Sequence, residues 1–89
     1  MKNLSKNQLA IALSYIIGMV NNANNTESDF VEHDLKTKCD VVITTLNLIG
    51  EIDFDTKKML EKLVKNGNTE LLIEYCKVNF GVVYGNNNK

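Results

Sequence analysis

The sequence lacks arginine, proline and tryptophan altogether, and it has only two cysteines and one histidine. All 10 basic residues are therefore lysines, which stand against 11 acidic residues and leave a net charge of -1. Proteins that bind nucleic acid neutralise phosphates with Lys and Arg, and a bidentate Arg is the commonest base-specific contact. The missing arginine and the slightly acidic balance argue against a nucleic-acid partner.

The shortage of metal-binding and disulfide-forming side chains excludes two further classes. A structural zinc site needs four ligands, whereas Cys39, Cys76 and His33 supply three at most. Small secreted domains that depend on disulfides usually carry more cysteines than this chain does. We therefore predict no metal, no cofactor and no disulfide framework, and we interpret both cysteines as reduced core thiols.

Long apolar runs are also missing. The most apolar stretch, residues 9–20, is too short for a membrane helix, which needs about 20 residues. Lys2 and Lys6 precede it as in a signal peptide, but residues 21–24 contain no small-residue cleavage site. We expect a cytoplasmic protein that does not enter a membrane.

What is abundant is asparagine, with 13 residues, together with lysine and isoleucine. These amino acids have AT-rich codons, whereas proline and most arginine codons are GC-rich. The composition therefore indicates an AT-rich gene, such as one from a low-GC bacterium, its phage or a plasmid.

Length and hydrophobic content predict one folded domain over residues 1–89, since 44% of the residues are hydrophobic. Ser5 and Gln8 have the spacing of a capping box and predict a first helix over residues 6–20. This helix is apolar on nearly every side. A polar connector is expected at residues 21–25.

A second helix is predicted over residues 26–49. Its apolar residues recur at spacings of three and four, and Gly50 stands where a glycine commonly follows a helix. A competing interpretation is a β-strand at residues 41–45, where β-branched residues cluster.

Two shorter helices follow, over residues 55–66 and 69–79, with Asp55 as the expected N-cap of the third helix. Gly67 separates the two, and so short a turn favours antiparallel neighbours. Residues 81–85 are expected to be extended, and the last four residues to be frayed. The predicted fold is an all-α compact bundle of about four helices with a short extended C-terminal tail.

Self-association is predicted from the first helix. A helix that is apolar on nearly every side needs covering on several sides, and we expect the two short helices to be too small to cover both long ones. We therefore expect a homo-oligomer whose interface contains Leu9, Leu13, Ile16, Ile17 and Val20.

Charged clusters and one aromatic residue are the candidate partner-binding groups. His33 lies among carboxylates, which suits a proton-transfer group or metal ligand, but an acidic first turn also simply stabilises a helix N-terminus. The lysines of the third helix form a basic face, and Tyr84 is either a contact residue or a cover for the bundle end. No catalytic residue is predicted. The candidates are Asp29, Glu32, His33, Asp34, Lys57, Lys58, Lys62, Lys65 and Tyr84.

Residues 54–85, a helical hairpin followed by an aromatic and glycine tail, loosely resemble the end of the small four-helix immunity proteins of bacteria, although those are commonly basic. The preferred hypothesis is a non-enzymatic protein that antagonises a larger macromolecule, such as a phage or mobile-element inhibitor of a bacterial defence system. The alternatives are a toxin immunity protein and an oligomer that sequesters a small signalling nucleotide.

Overall fold

The computed structural model describes residues 4–84, and this part of the chain contains four α-helices and no β-strand. The predicted all-α bundle is confirmed. The last residue of the predicted extended tail, residue 85, and residues 86–89, for which a frayed end was predicted, lie outside the described part. The helices are α1 (Lys6–Asn25), α2 (Asp29–Leu48), α3 (Phe54–Asn66) and α4 (Thr69–Phe80).

The first helix begins as predicted and ends later than predicted. The Ser5 hydroxyl accepts a hydrogen bond from the Gln8 amide at 3.1 Å, and Gln8 Oε1 accepts one from the Ser5 amide at 2.9 Å. The expectation of a polar connector after residue 20 is wrong. Ala23 lies about one turn beyond Val20 and is buried, so packing keeps this asparagine-rich segment helical despite its low helix propensity.

The second helix begins at Asp29, not at residue 26, because Ser28 is its N-cap and accepts a hydrogen bond from the Val31 amide at 3.2 Å. The β-branched run is helical, and Ile43 within it points into the core. Gly50 follows the helix with a φ of 83°, as its position predicted. The strand interpretation is therefore wrong.

The third helix starts one residue before the predicted start, at Phe54, and Asp53 rather than Asp55 caps it. Asp53 Oδ1 accepts a hydrogen bond from the Thr56 amide at 2.8 Å. Hydrogen bonding to the Thr56 side chain, and secondarily to this amide, lowers the pKa of Asp53. Asp55 instead lies in the first turn, where its charge suits the helix dipole.

The helices form two sequential hairpins, α1–α2 and α3–α4, which we call the two layers of the bundle. α1 contacts α2 and α4, α2 contacts α3, and α3 contacts α4. Between the layers lies a single hydrophobic cluster. Its largest fully buried side chains are Leu13, Ile16, Ile17, Ile43, Leu60 and Leu72.

The extended segment after α4 returns over α1. Val82 is buried and Tyr84 is half-buried, and both contact the core cluster. The Tyr84 hydroxyl lies over Gly18, 3.4 Å from the position that a β-carbon there would take. Residues 81–84 therefore cover one side of α1, which matches the predicted extended tail.

Candidate functional site

A charged cleft of about 390 Å³ runs between α2 and α3, lined in part by His33, Lys36, Asp40, Glu61 and Lys65. Lys36 Nζ lies 3.1 Å from the Glu32 carboxylate and donates a hydrogen bond to the Lys65 carbonyl at 3.2 Å. A cation at the C-terminal end of α3 suits the helix dipole. Lys36 therefore joins the two layers.

Further along the cleft, Lys57 Nζ pairs with the Glu61 carboxylate at 2.9 Å. Burial raises the pKa of Asp40, the charge of Glu61 raises it further, and Lys57 opposes both effects. Two ion pairs, Lys36–Glu32 and Lys57–Glu61, thus lie along the cleft.

The predicted partner-binding residues are spread over several surfaces. His33 and Lys65 line the charged cleft, and Glu32 and Lys57 join it through their ion pairs. The remaining five lie elsewhere. Asp29 is exposed at the start of α2, Asp34 pairs with Lys38 at 3.0 Å, Lys58 and Lys62 are exposed on α3, and Tyr84 lies on α1.

The residues predicted as an oligomer interface have a different location. Leu9 is half-buried, and the other four lie in the core of a single chain: Leu13, Ile16, Ile17 and Val20. The prediction assumed that one chain could not cover α1, whereas α2, α4 and the C-terminal segment do so. These four side chains are therefore no surface for a second copy, and oligomerisation itself stays a prediction.

The outer side of the α1–α2 layer carries an apolar surface that sequence reasoning missed. Tyr15 is 69% exposed and Val41 is 60% exposed. They border a groove of about 510 Å³ together with Met19, Leu35 and Val42. The available signal was that α1 has two apolar stripes, one facing the core and one formed by Ile11, Tyr15 and Met19 at intervals of four residues.

Tyr15 also borders a second groove, of about 310 Å³, on the other side of α1. This groove shares Tyr15 and Met19 with the first and ends at Tyr84. The only charged side chain lining either groove is Lys38, which Asp34 neutralises. We call the combined surface the aromatic face, defined by Tyr15, Met19, Leu35, Val41, Val42 and Tyr84.

The α3–α4 layer carries a separate apolar groove of about 330 Å³, which shares no lining residue with the aromatic face. Met59 and Leu63 from α3 and Leu71, Tyr75 and Val78 from α4 form most of its lining. Val78 is 69% exposed. Glu74 also lines it. We call this surface the hairpin groove.

The two cysteines lie inside the bundle, one in each layer. Cys39 in α2 and Cys76 in α4 are free thiols, and burial raises the pKa of each to about 11. Cys39 Sγ donates a hydrogen bond to the Ile16 carbonyl at 3.7 Å. A high pKa disfavours the thiolate, which is the reactive form. Both side chains therefore serve the core.

Within residues 4–84, no group of three His, Cys, Asp or Glu side chains lies close enough to hold a metal ion, and no helix has the length and apolar content needed to cross a membrane. Comparisons of the chain with models of protein families, with curated proteins and with solved structures find no match.

Proposed function

We propose that this chain is a small binding protein that antagonises a larger protein by covering an apolar site on it with the aromatic face. The observation that carries the proposal is the exposure of Tyr15 and Val41 beside a core that is already closed. Tyr15 and Val41 are not scattered singly, because Met19, Leu35 and Val42 border the same groove. Contiguous exposed apolar surface commonly marks a protein interface.

The chemistry of the face favours a protein partner. Tyrosine is enriched among the residues that contribute most to binding energy, because it buries a large area and keeps a polar end. Tyr15 and Tyr84 flank one groove, and Met19 between them can adapt its shape to a partner. The neutral lining offers little to a phosphate backbone. An apolar patch on another protein fits it better.

The specific form of the proposal is a phage or mobile-element inhibitor of a bacterial defence system. The AT-rich composition supports such an origin, and a small chain with a nearly uncharged, exposed apolar face suits a protein that blocks a surface on a larger complex. The face would act by occupying that surface.

The test compares two exposed aromatic residues. The tagged chain is used to retain proteins from an extract of a low-GC bacterium, and the same experiment is repeated with Tyr15→Lys and Phe30→Lys. Phe30 is 79% exposed near the start of α2 and does not line the aromatic face. Tyr15→Lys should weaken binding of a purified target by roughly 30-fold or more, whereas Phe30→Lys should leave it unchanged.

Antagonism needs its own measurement. The activity of the retained target is assayed with increasing amounts of the wild-type chain, and it should fall as the complex forms. Tyr15→Lys should inhibit only at correspondingly higher concentration, with helicity unchanged by circular dichroism. Binding and inhibition that survive both Tyr15→Lys and Val41→Lys would overturn the proposal.

A further inference from the structure

The edges of the hairpin groove carry opposite charges. On α3, helical spacing places Lys62 beside the groove-lining Met59, and Lys65 one turn after Lys62 on the side that also borders the charged cleft. On α4, Glu74 lines the groove and Glu70 lies one turn before it. All four charged side chains are exposed, and none makes an ion pair within residues 4–84. The groove therefore has a basic edge and an acidic edge around an apolar floor.

The charges also match in height along the two helices. Lys65 and Lys62 precede the last residue of α3 by one and four residues, and Glu70 and Glu74 follow the first residue of α4 by one and five. At a rise of about 1.5 Å per residue, Lys65 lies level with Glu70, and Lys62 lies nearly level with Glu74. Each lysine thus has a carboxylate at the same distance from the α3–α4 turn.

We propose that the hairpin groove binds a second copy of this chain in a two-fold symmetric dimer, with α3 of each copy lying on α4 of the other. In a symmetric interface the same surface meets itself, so the basic edge must face an acidic edge. A two-fold axis parallel to the helices pairs Lys62 with Glu74 of the second copy and Lys65 with Glu70. The apolar floors then cover each other.

The charges select this arrangement over the alternative. A two-fold axis across the helices would place α3 on α3, where lysines would face lysines. Like charges in an interface are strongly unfavourable. The parallel axis also leaves the aromatic face of each copy pointing outward, because that face lies on the other layer. The dimer is therefore independent of the proposed function and would make the inhibitor bivalent.

The size of the face predicts a weak dimer. Helices of 13 and 12 residues are about 20 and 18 Å long, so two of them offer a small interface. We expect monomer and dimer to exchange with concentration. Salt should favour the monomer, because it screens the exposed charge pairs.

The test is charge reversal followed by sedimentation equilibrium over a wide range of concentration. Lys62→Glu and Glu74→Lys should each weaken the dimer by roughly tenfold or more, because each creates two like-charge pairs. A mixture of the two variants should form a heterodimer close to wild-type strength, since both pairs then become opposite again. Circular dichroism establishes that each variant remains folded.

The double variant K62E/E74K is the matched control. It should dimerise with itself and fail to pair with the wild-type chain, which a general loss of stability would not produce. A wild-type chain that stays monomeric throughout would overturn the inference. So would a dimer that tolerates both reversals but dissociates with Tyr15→Lys, since that result places self-association on the aromatic face.

One unfavourable pair sharpens the test. Lys58 precedes the end of α3 by eight residues and Lys77 follows the start of α4 by eight, so they face each other in the proposed dimer. Replacing Lys77 by Gln should remove this repulsion and tighten the dimer measurably. A looser dimer with Lys77→Gln would contradict the proposed register.

Discussion

Both layers of the bundle expose apolar side chains, but the charged residues around these apolar surfaces differ between the layers. The α1–α2 layer supplies most of the buried core and leaves the aromatic face almost free of charge. The α3–α4 layer supplies less of the core and borders its groove with unpaired lysines on one side and carboxylates on the other. The presence of exposed apolar side chains does not by itself distinguish the two faces. The charges at the borders distinguish a surface for a foreign protein from one for a second copy.

The layers also differ in how their turns are held. Ser28, an N-cap whose own amide donates to the Thr26 hydroxyl at 3.2 Å, closes the first hairpin. Gly67, with a φ of 66°, closes the second. Asn24 at the end of α1 donates to the Gly67 carbonyl at 2.8 Å and to the Thr69 hydroxyl at 2.9 Å. One side chain of the first layer thus holds the turn of the second.

The largest expected effect on stability is a difference between the buried stripe and the exposed stripe of α1. Ile17 is fully buried and Ile11 is 67% exposed on the same helix. Ile17→Ala should lower the free energy of unfolding by about 2–5 kcal/mol, because it removes buried methyl groups and leaves a cavity. Ile11→Ala, the matched change at the surface, should stay within about 0.5 kcal/mol.

Chemical denaturation followed by circular dichroism measures both variants. Equal losses of unfolding free energy in the two variants would mean that Ile11 is covered in solution. The proposed difference between a buried and an exposed stripe would then be wrong. The loss at Ile17 should be independent of protein concentration, because its contacts lie within one chain.

A smaller effect is expected at the junction of the layers. Asn24→Ala should cost about 0.5–1.5 kcal/mol, since it removes the hydrogen bonds that join α1 to the α3–α4 turn. Asn25 is the matched control, because its amide bonds only to Asn21 within α1. Asn25→Ala should therefore cost less in thermal or chemical unfolding.

Gly67→Ala sharpens this result. A β-carbon at Gly67 would lie 2.8 Å from Asn24 Oδ1, and the backbone there has the left-handed conformation. The substitution should therefore cost more in the wild-type chain than in the Asn24→Ala variant, where the close contact is gone. Equal costs in both backgrounds would show that the two residues do not interact.

Local signals predicted the helix number and several ends, because a cap or a glycine acts within a few residues. The capping box of Ser5 and the glycines at 50 and 67 are examples. The end of α1 was missed because it depends on Ala23 packing against distant residues. The aromatic face was missed for the same reason. Periodicity shows that α1 has two apolar stripes, and only the fold decides which one faces outward.

The smallest expected effect compares one aspartate from each layer. The pKa of Asp40 in α2 is raised and that of Asp53 before α3 is lowered, relative to the usual 3.8. The folded chain disfavours the charged form of Asp40, so at neutral pH Asp40 lowers the free energy of unfolding. This loss of stability disappears as pH falls through the raised pKa. For Asp53 the folded state favours the charged form, so its contribution is present above 3.8 and disappears as pH falls through the lowered value.

Asp40→Asn should therefore be more stable than the wild-type chain at neutral pH, and this advantage should vanish in acid. Asp53→Asn keeps an effective N-cap but loses the charge, so it should be less stable at neutral pH, with a difference that also vanishes in acid. Unfolding free energies of both variants across the acidic range measure the two slopes. The two stability differences should change with pH in opposite directions, because protonation relieves the desolvated carboxylate of Asp40 and weakens the cap formed by Asp53. Changes in the same direction would contradict this comparison.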